Sequence, residues 1–129
     1  MGTSIHGVWE VHVASWDGRG WVNAGDIDDS RSYQVFATLA GVRAEVCRER
    51  GDPFTTIAEP RGLPKDMGYT TESATNYEQE CGCLLRPSWL TLRELIDAKQ
   101  PWLDILIAQG WAVARGRHPD VVRMVFWFS

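Results

Sequence analysis

The stretch VVRMVFWF, Val121–Phe128, is apolar at nearly every position. A strand with one wet face alternates polar and apolar residues, whereas a run apolar on both faces belongs inside a sheet covered on both sides. Arg123 interrupts the run, and a charge in that place has to be paired or point into a site. A second β segment, HGVWEVHVASW (His6–Trp16), sets Trp9, Val11 and Val13 on one face and Val8 on the other. Asp17-Gly18 is a turn dipeptide and Gly20–Asn23 resumes extended chain, so residues 6–25 predict a β-hairpin.

Between these ends the spacing changes. Tyr33, Phe36, Leu39 and Ala40 recur at intervals of three and four. This predicts an amphipathic helix from a cap at Asp28-Asp29-Ser30 to about Arg50, where Gly51-Asp52-Pro53 stops it. Gly41 within it marks either a close approach by backbone or ligand, or a break in the helix. Residues 54–70 read as a structured loop with a short strand at Thr55–Ala58, and residues 70–87 as a polar loop with a short helix at most. Thr91-Leu92-Arg93-Glu94 is a capping box opening a helix that buries Leu92, Leu95 and Ile96. Pro101 starts another helix, carrying Leu103, Leu106 and Ile107 to about Gln109, with Gly110 as its C-terminal cap. The sum is a single α+β domain, residues 1–129: an antiparallel sheet of N-terminal hairpin plus C-terminal strand, packed by two or three helices.

The bulk numbers narrow the functional classes. A chain of 129 residues suits one domain, and 44% hydrophobic with 23% charged residues is globular rather than disordered. The net charge of −4 argues against binding duplex nucleic acid, although a small phosphate ligand needs only two or three local cations. No stretch approaches the roughly 20 apolar residues of a membrane span and the N-terminus lacks a signal-peptide core, so a cytoplasmic location without membrane contact is expected. Cys47, Cys81 and Cys83 cannot all pair within one chain and read as reduced thiols. Seven tryptophans place several large rings at a core edge or an interface, which suggests a homo-oligomer.

The first candidate site joins Arg43, at the end of the YQVFATLAGVR segment, to Arg61 in IAEPRGLPKD. Both are arginines, suited to two-pronged contacts with phosphate or carboxylate. Pro60 and Pro64 stiffen the loop, and Gly62 between them is free to adopt positive φ and turn backbone N–H groups toward an anion. The competing reading pairs Arg61 with a carboxylate such as Glu59 or Asp66, merely pinning the loop. Tyr33 and Phe36 stack on a base in the functional reading and sit in the core in the plainer one. His6, His12, Cys81 and Cys83 are possible metal ligands, but no paired Cys-x-x-Cys or His-x-x-x-His spacing occurs, so neither metal nor cofactor is expected. Cys47, Ser88 and Thr91 have no adjacent histidine, and no P-loop, GxGxxG or GxSxG is present, so no catalytic residue is assigned.

Four ordered segments, YxxFAxLAGVR (Tyr33–Arg43), IAEPRGLPKD (Ile57–Asp66), SWLTLREL (Ser88–Leu95) and VRMVFWF (Val122–Phe128), resemble a widespread family of small phage and prophage proteins. Its pattern often carries His-Ser-His before WLT, where this chain has Leu85-Arg86-Pro87-Ser88. The resemblance therefore weakens an enzymatic reading and leaves Arg86 as a substitute anion contact. It also implies a phage setting, in which small accessory proteins blunt host defence. The resulting expectation is a homo-oligomeric protein that sequesters a nucleotide-derived signal through Tyr33, Phe36, Arg43, Arg61, Gly62 and Arg86. The alternatives are a protein–protein interaction module inhibiting a host factor, and a hydrolase of a cyclic nucleotide signal.

Overall fold

Every residue of Val122–Phe128 is buried, as a strand apolar on both faces requires. The computed structural model describes residues 2–13, 20–28 and 32–129. In it Val122–Phe128 is strand β4, flanked by β1 (Ile5–His12) and β3 (Leu85–Thr91), with β2 (Trp21–Asp26) beyond β1. All pairings are antiparallel, in the order β2-β1-β4-β3. His12 pairs with Trp21, so the expected hairpin is present; its Asp17-Gly18 turn lies outside the described residues. The α+β class and the antiparallel sheet read from the sequence are both found.

One face of the sheet carries Trp9, Val11, Leu90, Met124, Phe126 and Phe128. Three helices cover it: α1 (Tyr33–Ala40), α4 (Leu92–Asp97) and α5 (Asp104–Ala114). They contribute Phe36, Leu39, Leu95 and Leu106 to the same cluster. Burying each such side chain contributes about 1.5–3 kcal/mol. The opposite face holds Val8, Glu10, Arg123, Val125 and Trp127, all buried as well. The loop before α3 (Tyr69–Glu80) and α3 itself reach this face: Gly68 N–H donates to Glu10, Asp66 pairs with Arg123, and Asn23 donates to Thr71.

Several local expectations are corrected. The long helix divides at Gly41, whose φ of 72° is left-handed, and a second helix, α2 (Ala44–Arg50), follows. Ser32, rather than the Asp28-Asp29-Ser30 group, caps α1 by accepting from Val35 N–H at 3.3 Å; Asp29 and Ser30 lie outside the described residues. Thr55–Ala58 is not a strand. It satisfies carbonyls of α1's last turn instead, through Ile57 N–H to Thr38 O and Thr56 Oγ1 to Ala37 O, each at 2.8 Å. Residues 70–87 hold the start of β3 and, before it, all but the first residue of the twelve-residue helix α3. Its buried side chains are Thr71 and Thr75, so no apolar stripe announced it. Gly110 lies inside α5 rather than at its end, because a Cβ there would fall 2.5 Å from Leu92 Cδ1 and 3.1 Å from Trp9.

Candidate anion-binding site

The proline-stiffened loop is held shut from within. Arg61 forms a two-pronged pair with Glu94, at 2.8 and 2.5 Å, donates to Trp89 O at 3.1 Å, and lies 4.8 Å over the Trp89 ring. Its backbone N–H donates to Ser88 Oγ at 3.0 Å, and Gly62 N–H donates to Pro87 O at 2.9 Å. Gly62 does take positive φ, at 82°, but its N–H is spent on the protein's own backbone. Arg61 thus takes the plainer role, with Glu94 as partner in place of Glu59 or Asp66. The Arg61 hydrogen bond, opposed by burial and helped by Thr91 N–H, holds the Glu94 carboxyl below the usual carboxylate range.

Asp66, at the far end of the same loop, accepts from Arg123 Nη1 at 3.0 Å and from Trp21 Nε1 at 3.1 Å. Arg123 also donates Nε to Glu10 Oε1 at 2.9 Å, while its Nη2 lies 2.8 Å from that oxygen without hydrogen-bond alignment. The guanidinium sits 3.9 Å from the Trp21 ring centre, and Glu10 is fully buried. The charge inside the β4 run is therefore paired, as its position demanded. Gly68 belongs to the same lock, since a Cβ there would meet Trp21 O at 2.5 Å.

Arg43 and Arg86 differ from Arg61. Together with Thr3, Gly41, Glu45 and Ser129 they line an open cavity of about 260 Å³. Arg43 Nε donates to Thr3 Oγ1 at 2.7 Å, the only hydrogen bond of its side chain among the described residues, so both terminal amino groups are left over. The Arg86 side chain has no hydrogen bond or ion pair among the described residues, and it is exposed. Both have left-handed backbones, with φ of 60° and 49°. Lys99 and Arg115 share that conformation but lie within two residues past the ends of helices α4 and α5, where it is ordinary. Arg43 instead opens α2, and Arg86 sits in an irregularity of β3 between Leu85 and Ser88. Left-handed backbone at such places costs roughly 1–3 kcal/mol and concentrates at functional sites.

Thr3 also borders a second hollow of about 470 Å³, lined by Gly2, Ser4, Tyr33 and Arg50. The Tyr33 ring has Arg43 at 5.4 Å and Arg50 at 5.9 Å, and its hydroxyl accepts from Thr3 N–H at 3.2 Å. It orients arginines rather than standing open to a base. Phe36 has no exposed surface and packs on Phe128 with ring centres 5.3 Å apart, so it has no face to offer a ligand. Of the six residues proposed from the sequence, the structure brings Arg43 and Arg86 onto one cavity, sets Tyr33 beside Arg43 on the adjoining hollow, and sends Phe36, Arg61 and Gly62 into core and loop. Thr3, Glu45 and Arg50 belong to the site but carried no sequence signal. A further cavity of about 350 Å³, lined by Val11, Val22, Arg115 and Arg117 among others, was also unforeseen.

No protein-family model, curated protein or solved structure matches this chain. The site is read from its own geometry.

Proposed function

We propose that this protein binds and sequesters a small nucleotide-derived anion in the cavity between Arg43 and Arg86. The observation that carries the reading is two left-handed arginines on one cavity, together lacking any carboxylate partner among the described residues. Their terminal amino groups suit phosphate oxygens, Thr3 positions Arg43, and Arg50 over Tyr33 adds positive charge in the adjoining hollow. Glu45 on the same wall disfavours a bare phosphate and favours a ligand that also carries donors, such as a ribose or base. The motif resemblance supplies the setting: a phage accessory protein withdrawing a host immune signal.

Heating the purified protein and analysing the supernatant by absorbance and mass tests this directly, alongside a thermal-shift panel of cyclic and linear nucleotides. A released or stabilising nucleotide is expected, with binding lost in Arg43→Ala and Arg86→Ala and kept in Arg61→Ala. No ligand and no shift across the panel would overturn the reading.

One observation favours a hydrolase on the same site. Ser129, on the cavity wall, has its Oγ 2.7 Å from His6 Nε2, a nucleophile–base pairing. Among the described residues no carboxylate bonds to the other nitrogen of His6 to orient it. Turnover of a bound nucleotide that disappears in Ser129→Ala while binding persists would establish this alternative.

A further inference from the structure

Helix α3 ends in a turn that brings three metal-ligating side chains together. Cys81 is its C-cap, Gly82 follows with a left-handed φ of 74°, and Cys83 comes next. Backbone bonds fix this turn: Cys83 N–H donates to Glu78 O at 3.0 Å, Gly82 N–H to Gln79 O at 3.2 Å, and Cys81 N–H to Tyr77 O at 3.3 Å. The thiols consequently face one another with Sγ atoms 2.8 Å apart, and Glu78 Oε2 lies 3.9 Å from Cys81 Sγ. Ligand atoms of Glu78, Cys81 and Cys83 all fall within 4.8 Å of one another.

We propose that Glu78, Cys81 and Cys83 form a binding site for a single borderline-soft divalent cation of the zinc type, with one coordination position open. Two thiolates select such a metal over magnesium or calcium, and a carboxylate completes a three-residue set of the kind that leaves a position for water or an incoming ligand. With metal–sulfur bonds of about 2.3 Å, tetrahedral geometry separates two sulfurs by about 3.8 Å, so modest outward rotation of the thiols makes room for the ion. The location adds to this. The helix dipole leaves partial negative charge at this C-terminus, which favours a cation, and the turn's backbone is already in place before any metal arrives. His6 and His12 take no part in the cluster. The site shares no lining residue with the Arg43–Arg86 cavity, so the two proposals stand or fall separately.

Titrating the reduced, full-length protein with cobalt(II) tests the proposal by optical spectroscopy. A thiolate-to-cobalt charge-transfer band saturating at one ion per chain, and bleached by zinc, is expected. Cys81→Ser and Cys83→Ser should abolish the band, Glu78→Gln should weaken binding roughly tenfold, and Cys47→Ala should change nothing. Near-ultraviolet circular dichroism of each variant verifies its fold. Absence of the band in the reduced protein overturns the proposal, as does a band that survives Cys81→Ser. An intramolecular Cys81–Cys83 disulfide forming on air oxidation, with no cobalt bound by the reduced form, would assign the pair to redox chemistry instead and also overturn it.

Discussion

Arg61 and Arg123 on one side, and Arg43 and Arg86 on the other, are the same residue type in opposite conditions. The first two have their charges paired with Glu94, Glu10 and Asp66, and both lie against tryptophan rings. The second two carry terminal amino groups that no described residue matches, and they hold a backbone conformation that costs energy. An arginine whose partners are internal is part of the scaffold; one whose donors stay open at a strained position is, in the function proposed above, the one that meets a ligand. The sequence marks Arg123 by its apolar surroundings, but it presents Arg43, Arg61 and Arg86 alike.

Breaking the scaffold pair should have the largest effect. Arg123→Met leaves Glu10 buried and unpaired and is expected to cost about 3–5 kcal/mol in urea denaturation. The double variant Glu10→Leu/Arg123→Met should recover most of that loss, because it removes both charges together. Failure of the double variant to recover would mean that the pair does more than balance charge. Next in size, Gly110→Ala should destabilise by about 1–3 kcal/mol through overpacking against Leu92 and Trp9.

The ligand-side arginines should behave in the opposite way. Arg86→Gly relieves a left-handed backbone at the expense of unfolded-state entropy, so its stability is expected to stay within about 1 kcal/mol of the parent. Nucleotide-induced thermal shifts should nonetheless vanish. A variant that loses both stability and binding would move Arg86 into the scaffold class. The smallest effect concerns Arg61 and Glu94, which are partly exposed. Glu94 is held below its usual range, so the pair's contribution is present above the ordinary value of 4.5 and disappears as pH falls through the lower, folded-state value. Comparing Arg61→Ala with the parent by thermal denaturation, the gap in melting temperature should be constant near neutrality and close under acid.

Elements with strong periodicity or explicit caps were legible in the sequence. The β4 run, the hairpin strands and the Thr91–Glu94 capping box stand where they were expected, and Arg123 is paired as its burial required. What escaped notice depended on partners distant in sequence. Helix α3 buries threonines, which have no hydrophobic signature. Gly110 is small because Leu92 and Trp9 press on it from elsewhere in the chain. The site shows the same limit. The end of the helical segment nominated Arg43 and the phage-family resemblance nominated Arg86, without saying they would meet; the proline-flanked loop nominated Arg61 without revealing Glu94, thirty-three residues away. Glu78 entered no reading of a metal cluster because only a helix places it one turn from Cys81.

The irregularity that lifts Arg86 out of β3 sets two residues, Arg86 and Pro87, opposite the single Trp127 of β4. β3 is an edge strand, and an unbroken edge is a template on which another chain can add itself. An extra residue and a proline, which lacks an N–H, interrupt that template at the same point where the arginine is displayed. The kink therefore joins the display of Arg86 to a break in the β3 ladder, and the Arg61–Gly62 loop covers the strand just beyond it, with Gly62 N–H donating to Pro87 O.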